Sequence, residues 1–347
     1  MVRLRDIAAR AGVSVMTVSK ALREEPDVAA STRARVRQLA QAMGYVPDST
    51  ARSLRTRRTG LFGLVIPAAT NPMSAPVVMA IEERAQAFGY DLLVSHSLNQ
   101  VEREETCIRR LISRRVDGLL VCPVYRLAPT APIYEELAHR GIPTVVLGLP
   151  APFCRHFVSI GTDDLPASLA LTQHLLQLGH RRIAVFAGPP AAPWSQERTE
   201  GYRRALNDAG VEFDDQLVFS AGTTMEEGEK AALELLQEKV NVTAIQAAND
   251  LVALGVANVL LSQGIPIPER MSVVGFGDIL ASQLCRVPLT TVHQPKLRLG
   301  YAAMDAMQQL LRGECPQPQR LPASLVVRLS SGAAPGPAAK PDGPARG

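Results

Sequence analysis

Met16, Ser19, Lys20 and Arg23 share the outward side of a helical pattern at the start of the chain, with Val15 at its leading end. Donors and apolar groups mixed on one exposed helical face suit the reading of base edges in a DNA major groove. The elements that must position them lie in LRDIAARAGVSVMTVSKALR, residues 4–23. The first helical pattern puts Leu4, Ile7, Ala8 and Ala11 on one face, and the second puts Val15, Val18 and Leu22 on another, so both stripes are expected to bury together. Gly12 falls where the chain must reverse, and Ser14 is suited to cap the helix that follows. A third helix is expected from Ser31 to Met43, with Val36, Leu39, Ala40 and Met43 closing a three-helix core and Gly44 ending it. The unit is a helix-turn-helix.

Charge separates this head from the rest. Residues 1–58 hold 12 Lys or Arg against 5 Asp or Glu, a net +7, so the remainder carries −3 in a chain of net +4. A basic head on a mildly acidic body favours phosphate attraction at one end. The chain has 347 residues, 20% of them charged and 46% hydrophobic, which fits a small head joined to a large globular body. No stretch reaches the apolar length of a membrane span, and MVRLRDIAAR shows neither an apolar signal core nor a cleavage site, so a cytoplasmic location is expected. Five widely spaced cysteines without a CxxC pair are expected to be reduced thiols.

After the head comes YVPDSTARSLRTRRTG, a basic linker in which Pro47 breaks the preceding helix and Ser49 can cap a short new one. From Leu61 the texture becomes that of an α/β body. Strands are expected at 61–66, 91–95, 116–121 and 144–148, then at 182–188, 216–220, 242–247 and 272–277. Amphipathic helices are expected at 76–88, 103–114, 167–178, 199–209, 227–238 and 250–263. Alternation of this kind implies doubly wound parallel sheets in two similar lobes, with a ligand cleft outside the carboxyl ends of the strands. The expected organisation is a head over 1–46, a hinge helix or linker over 47–60, a two-lobed effector-binding and dimerisation body over 61–331, and a disordered Gly/Pro/Ala-rich tail over 332–347.

In this order the motifs resemble the LacI/GalR family of bacterial transcription regulators, from about Leu4 to about Arg328. The head carries Asp6, Ile7, Ala8, Ala11, Gly12, Val13, Ser14, Thr17, Val18, Ser19, Lys20 and Leu22 at the family's positions. GYVP at 44–47 and ARSL at 51–54 follow, then IPAATNP, VDGLL, LGHRRIA, ERTEGYRRAL, ANDLVALG and PLTTVHQP in the body. The resemblance implies a periplasmic-binding-protein-like body and assigns Val15, Met16 and Lys20 to the bases. Lys20 would donate to guanine, and Val15 and Met16 would make apolar contacts. Ser14 and Thr17 are implied to contact phosphates. Leu54 aligns with a leucine that wedges into the minor groove, with Arg52, Arg55, Arg57 and Arg58 supplying charge around it. The linker helix is expected to fold only with DNA and a second subunit present.

For the effector, the resemblance points to Asn71, Met73 and Ser74 after the first body strand, Trp194 and Arg198 after the fifth, Asn249 after the seventh, and Asp278 after the eighth. Arg198 could pair with sugar hydroxyls or a carboxylate, Trp194 could offer a flat face to a sugar ring, and Asp250 could cap the next helix. Gly277 stands where many members have an acidic residue, so that carboxylate is expected to be missing or displaced to Asp278. A homodimeric repressor on a pseudo-palindromic double-stranded DNA operator follows, controlled by a sugar, sugar derivative or sugar acid, with no cofactor or metal. Whether ligand releases or promotes DNA binding stays open. The competing classes are a sugar-processing enzyme and a solute-binding protein. The first lacks GxGxxG, GxxxxGKS/T and HExxH patterns, and the second should carry an export signal and no basic head.

Overall fold

The computed structural model describes residues 2–46 and 58–336, and the chain divides into two compact units, Met1–Thr59 and Gly60–Gly347. In the first unit, α1 (Leu4–Ala11), α2 (Val15–Leu22) and α3 (Ala30–Ala42) close around Ile7, Ala8, Ala11, Val18, Ala21, Val28, Val36 and Ala40. Gly12 takes φ 63°, the left-handed conformation in which a Cβ is strained, and so allows the turn. Ser14 accepts from the Thr17 amide at 3.0 Å and starts α2. At the far end Gly44 has φ 65°, with Tyr45 N donating to Ala40 O and Gly44 N to Gln41 O, a Schellman stop. One correction concerns Val15: it is 46% exposed, and Val18 and Ala21 are the buried residues of α2.

The second unit has two lobes. The first holds a six-stranded parallel sheet in the order β11-β5-β4-β3-β1-β2. Its strands are β1 (Leu61–Ile66), β2 (Asp91–His96), β3 (Gly118–Val121), β4 (Thr144–Leu147), β5 (Val158–Asp163) and β11 (Gln319–Pro322). Phe62, Leu64 and Ile66 pack to one face with Ile81, Met304 and Met307. Val65 packs to the other with Ile108, Leu111 and Tyr134. The helices of this lobe are α4 (Ser74–Ala87), α5 (Val101–Ser113), α6 (Pro132–His139) and α12 (Lys296–Leu311).

The second lobe has the parallel order β7-β6-β8-β9, from β6 (Ile183–Ala187), β7 (Val218–Ser220), β8 (Ala244–Ala247) and β9 (Ser272–Val274). Around it lie α7 (Asp164–Gln177), α8 (Pro193–Asp208), α9 (Met225–Gln237), α10 (Asp250–Ser262) and the short α11 (Leu280–Leu284). An antiparallel pair, β10 (Thr291–His293) with β12 (Ser324–Val326), continues this lobe through parallel bridges Val274↔Thr290 and Gly277↔His293. The main chain therefore crosses between lobes three times: from β5 into α7, from β10 into α12, and from β11 into β12.

Several elements differ from the sequence expectation. β5, α6, α11, α12 and β10 to β12 are additional, so Trp194 and Arg198 follow the sixth strand, Asn249 the eighth and Asp278 the ninth. The segment VSIGTD has no apolar run, and β5 is held by pairing with β4 and β11 on either side. α8 begins at Pro193 rather than near 199, because Pro is accommodated in a first helical turn. The strand expected at 272–277 ends at Val274. The tail's start is ordered: Gly332 N donates to Ser272 Oγ at 3.1 Å, and Ala334 N to Leu178 O at 2.8 Å.

Candidate functional site

In the head, α2 presents Val15 and Met16 outward, the latter 69% exposed. The Ser14 and Thr17 hydroxyls lie 2.9 Å apart. Lys20 is paired with Asp27, and their hydrogen bond raises the lysine pKa and lowers that of the carboxylate. Arg23 pairs with Glu25, and Arg37 with Glu24. The α2–α3 connection thus supplies carboxylates to three cations of the head. Arg52, Leu54, Arg55 and Arg57 lie outside the described residues.

In the body, a cavity of about 630 Å³ is lined from both lobes, and Asn71, Met73, Ser74, Trp194, Arg198 and Asn249 all contribute to its wall. Its floor is a polar knot at two of the three crossings. Asp164, the first residue of α7, accepts from Arg198 Nε at 2.9 Å and Nη2 at 2.7 Å through one oxygen. Its other oxygen accepts from the Thr162 hydroxyl at 2.5 Å and Gln294 Nε2 at 3.3 Å. Gln294 Nε2 also donates to Thr162 Oγ1 at 2.7 Å, and Arg198 Nη1 to Ala248 O at 2.6 Å. The early start of α8 places Trp194 one turn before Arg198, and the guanidinium lies 4.6 Å from the Trp194 ring centre and 3.7 Å from that of Phe276. Arg198 reaches the cavity already paired with a carboxylate.

The polar groups near it are also partly committed. Asn249 caps α10 through Val252 N at 2.9 Å and donates to Thr223 O at 3.0 Å. The capping role expected for Asp250 belongs to Asn249. Asp250 is buried, accepting from the Thr291 hydroxyl at 2.5 Å and Ile279 N at 2.9 Å, and burial pushes its carboxyl pKa up. Asn71 Oδ1 accepts from Met73 N at 2.9 Å, shaping the turn before α4.

Asp278 is a correction, since it does not line the cavity. Its carboxylate accepts from Arg328 Nη2 at 2.6 Å and sits 2.9 Å from His293 Nδ1. Burial alone would raise its pKa, and Arg328 and His293 outweigh that and hold it below the ordinary range. The space beside Gly277, which has φ 136°, is taken by Met73, whose sulfur would stand 3.2 Å from a Cβ there. Met73 comes from the first lobe and packs against the core of the second. Sequence reasoning missed Tyr125, Thr162, Asp164, Phe276 and Gln294 in the wall. The available signal was GTDD at 161–164, which places a buried-type strand end directly before a helix start.

A helix-turn-helix head joined to a two-lobed body with a ligand-sized cleft defines a ligand-responsive transcription regulator. Residues 3–48 match the model for bacterial regulatory proteins of the lacI family, and residues 172–331 match that for a periplasmic binding protein-like domain. The transcriptional repressor CytR of Escherichia coli K12 is 31% identical over 311 residues, covering 90% of each chain. PurR of Pasteurella multocida is 32% identical over 309 residues, 88% of this chain and 91% of the relative. Among solved structures, a lac repressor dimer bound to operator and the anti-inducer ONPF superposes with TM-score 0.85 at 29% identity, covering 96% of this chain and 99% of that one. A CelR–cellobiose complex gives 0.72 at 30%, covering 95% and 100%. The chain belongs to the lacI family of bacterial regulatory proteins. It is a DNA-binding transcriptional repressor controlled by a small-molecule effector, and not an enzyme. Among the described residues no helix is long and apolar enough to cross a membrane.

Proposed function

We propose that the effector is a sugar or sugar derivative held between the two lobes by Asn71, Ser74, Trp194, Arg198 and Asn249 together with Asp164 and Gln294, and that it acts by setting the relation between those lobes. The observation that carries this reading is the Thr162–Asp164–Gln294–Arg198 knot, which is at once cavity wall and the point where the main chain passes from lobe to lobe. A ligand bonded to these groups binds one lobe arrangement better than another, and that difference is all that a shift in populations needs. CelR is solved with cellobiose and a lac repressor with ONPG, which supports a carbohydrate-type ligand here.

On the DNA side, Val15, Met16 and Lys20 read bases, Ser14 and Thr17 meet phosphates, and Arg52, Leu54 and Arg55 serve the minor groove. The chain works as a cytoplasmic homodimer on a pseudo-palindromic operator. The dimer reading is supported by Leu280 and Leu284, which stand one turn apart on α11, 69% and 76% exposed, while Ser282 between them is buried. It is supported also by the dimeric lac repressor that shares the fold.

The test is a thermal-shift screen of the full chain against neutral sugars and glycosides, followed by Arg198→Ala. A ligand that raises Tm in a concentration-dependent way, with that response lost or weakened about tenfold or more in the variant, is expected. An undiminished response in Arg198→Ala contradicts the site.

A further inference from the structure

The charge of the cleft restricts the class of its ligand, an inference that rests on the reading of the cavity as the effector site. Among the described residues one cation, Arg198, lines the cavity together with three carboxylates, Asp164, Asp250 and Glu227. Arg198 is paired with Asp164, and three of its five N–H donors are engaged, two on one carboxylate oxygen and a third on Ala248 O. Asp250 accepts from the Thr291 hydroxyl and the Ile279 amide, and Glu227 from the Thr223 and Thr224 amides at 2.7 and 2.9 Å, all neutral donors. Lys296, whose charge is felt by Asp250, lies outside the lining. Its ammonium donates to the carbonyls of Gly277, Asp278 and Gln294.

An incoming carboxylate or phosphate would therefore enter a partly desolvated site where, among the described residues, three lining carboxylates outnumber the one lining cation and one of them already balances its charge. A hydroxyl or an amine would meet Asp250 and Glu227, which each accept two of about four possible hydrogen bonds, whereas Asp164 already accepts four. We propose that the cavity selects uncharged or cationic hydrogen-bond donors, polyols or amines, and discriminates against sugar acids and sugar phosphates. Arg198 in this arrangement keeps two N–H donors for a neutral ligand while Asp164 balances its charge.

Trp194 is the only tryptophan of the chain and lines the cavity, so its emission reports the local potential without a known ligand. On the full-length protein, quenching by caesium and by iodide is measured at equal ionic strength, each normalised to tryptophanamide and to acrylamide. The normalised caesium constant is expected to exceed that of iodide by about twofold, with the ratio falling towards one in Asp250→Asn. Iodide quenching equal to or stronger than caesium overturns the proposal.

Matched ligands give the second arm: glucose with glucuronate and glucose 6-phosphate, and ribose with ribose 5-phosphate. Within any set that alters Trp194 emission, the neutral member is expected to bind at least about tenfold tighter, and equal or tighter binding of the anion overturns the proposal. Asp164→Asn, which releases the Arg198 charge, is expected to narrow that gap. A ligand that raises Tm and leaves Trp194 emission unchanged counts instead against the cavity as effector site, so the two failures are distinguishable.

Discussion

Lys20 and Arg198, two cations proposed to meet a ligand, share a property that their one-letter codes conceal, for each already holds a carboxylate. For Lys20 the partner is Asp27, seven residues on, across the turn that ends α2. On the proposed assignment of Lys20 to the bases, DNA must share or displace that carboxylate, so the pair sets a cost on each contact that the ammonium would make. Asp27→Asn is expected to raise affinity for nonspecific duplex DNA several-fold at low salt and to steepen the salt dependence of binding by up to about one ion. Titrations of a labelled duplex at four or five salt concentrations measure both. An unchanged slope would mean that Lys20 does not meet the DNA. Asp278 teaches the converse: a carboxylate that looks available in GFGD is consumed by Arg328 and His293, fifty and fifteen residues away.

At the scale of elements, the ordered start of the tail supplies a pH prediction. His180 is buried, shares Nδ1 with the Thr243 hydroxyl, and places Nε2 against Ser272 Oγ and Gly332 O. His174 Nε2 lies 2.9 Å from Ser331 Oγ. Desolvation lowers the pKa of both below 6.5. The unfolded chain therefore takes up protons before the folded one does, and stability present above pH 6.5 is lost as pH falls through the lower folded values. The drop in Tm between pH 7 and 5.5 is expected to shrink by about 2 °C or more in His174→Gln/His180→Gln. An identical drop in the variant would contradict the assignment. A second element, α11, tests the assembly: Leu284→Arg is expected to convert a dimer to a monomer in sedimentation at micromolar protein with little change in Tm, and an unaffected dimer would place the interface elsewhere.

The same scale separates what local sequence reveals from what it hides. α1 to α3 were legible because their signals are local: Gly12 and Gly44 at left-handed positions, Ser14 as cap, and apolar residues every three or four. The parallel core of the body was legible from runs such as LFGLVI and IAVFA, which are buried on both faces over most of their length. β5 was hidden because Ser159, Gly161, Thr162 and Asp163 leave Val158 and Ile160 without an apolar run, and its order comes from neighbours β4 and β11. The polar knot was hidden for a related reason. Asp164 reads as an ordinary acid at a helix start, and only the fold brings it to Arg198, 34 residues away, and Gln294, 130 away. Val15 was assigned to both a buried stripe and an exposed tip by spacing alone, and packing of Val18 and Ala21 decided for the tip.

At the scale of the whole molecule, the proposed reading puts sensing and output in different units, with the body's three crossings as the place where a ligand in the cleft would bias the lobes. The central claim is that this body controls a sequence-reading head. It is tested most directly by selecting randomised duplexes with the purified full-length chain and measuring fluorescence anisotropy on the winners against scrambled duplexes. A pseudo-palindromic sequence is expected to bind about 10³-fold or more tighter than scrambled DNA at physiological salt, with affinity falling log-linearly as salt rises. Equal binding to selected and scrambled duplexes would contradict it.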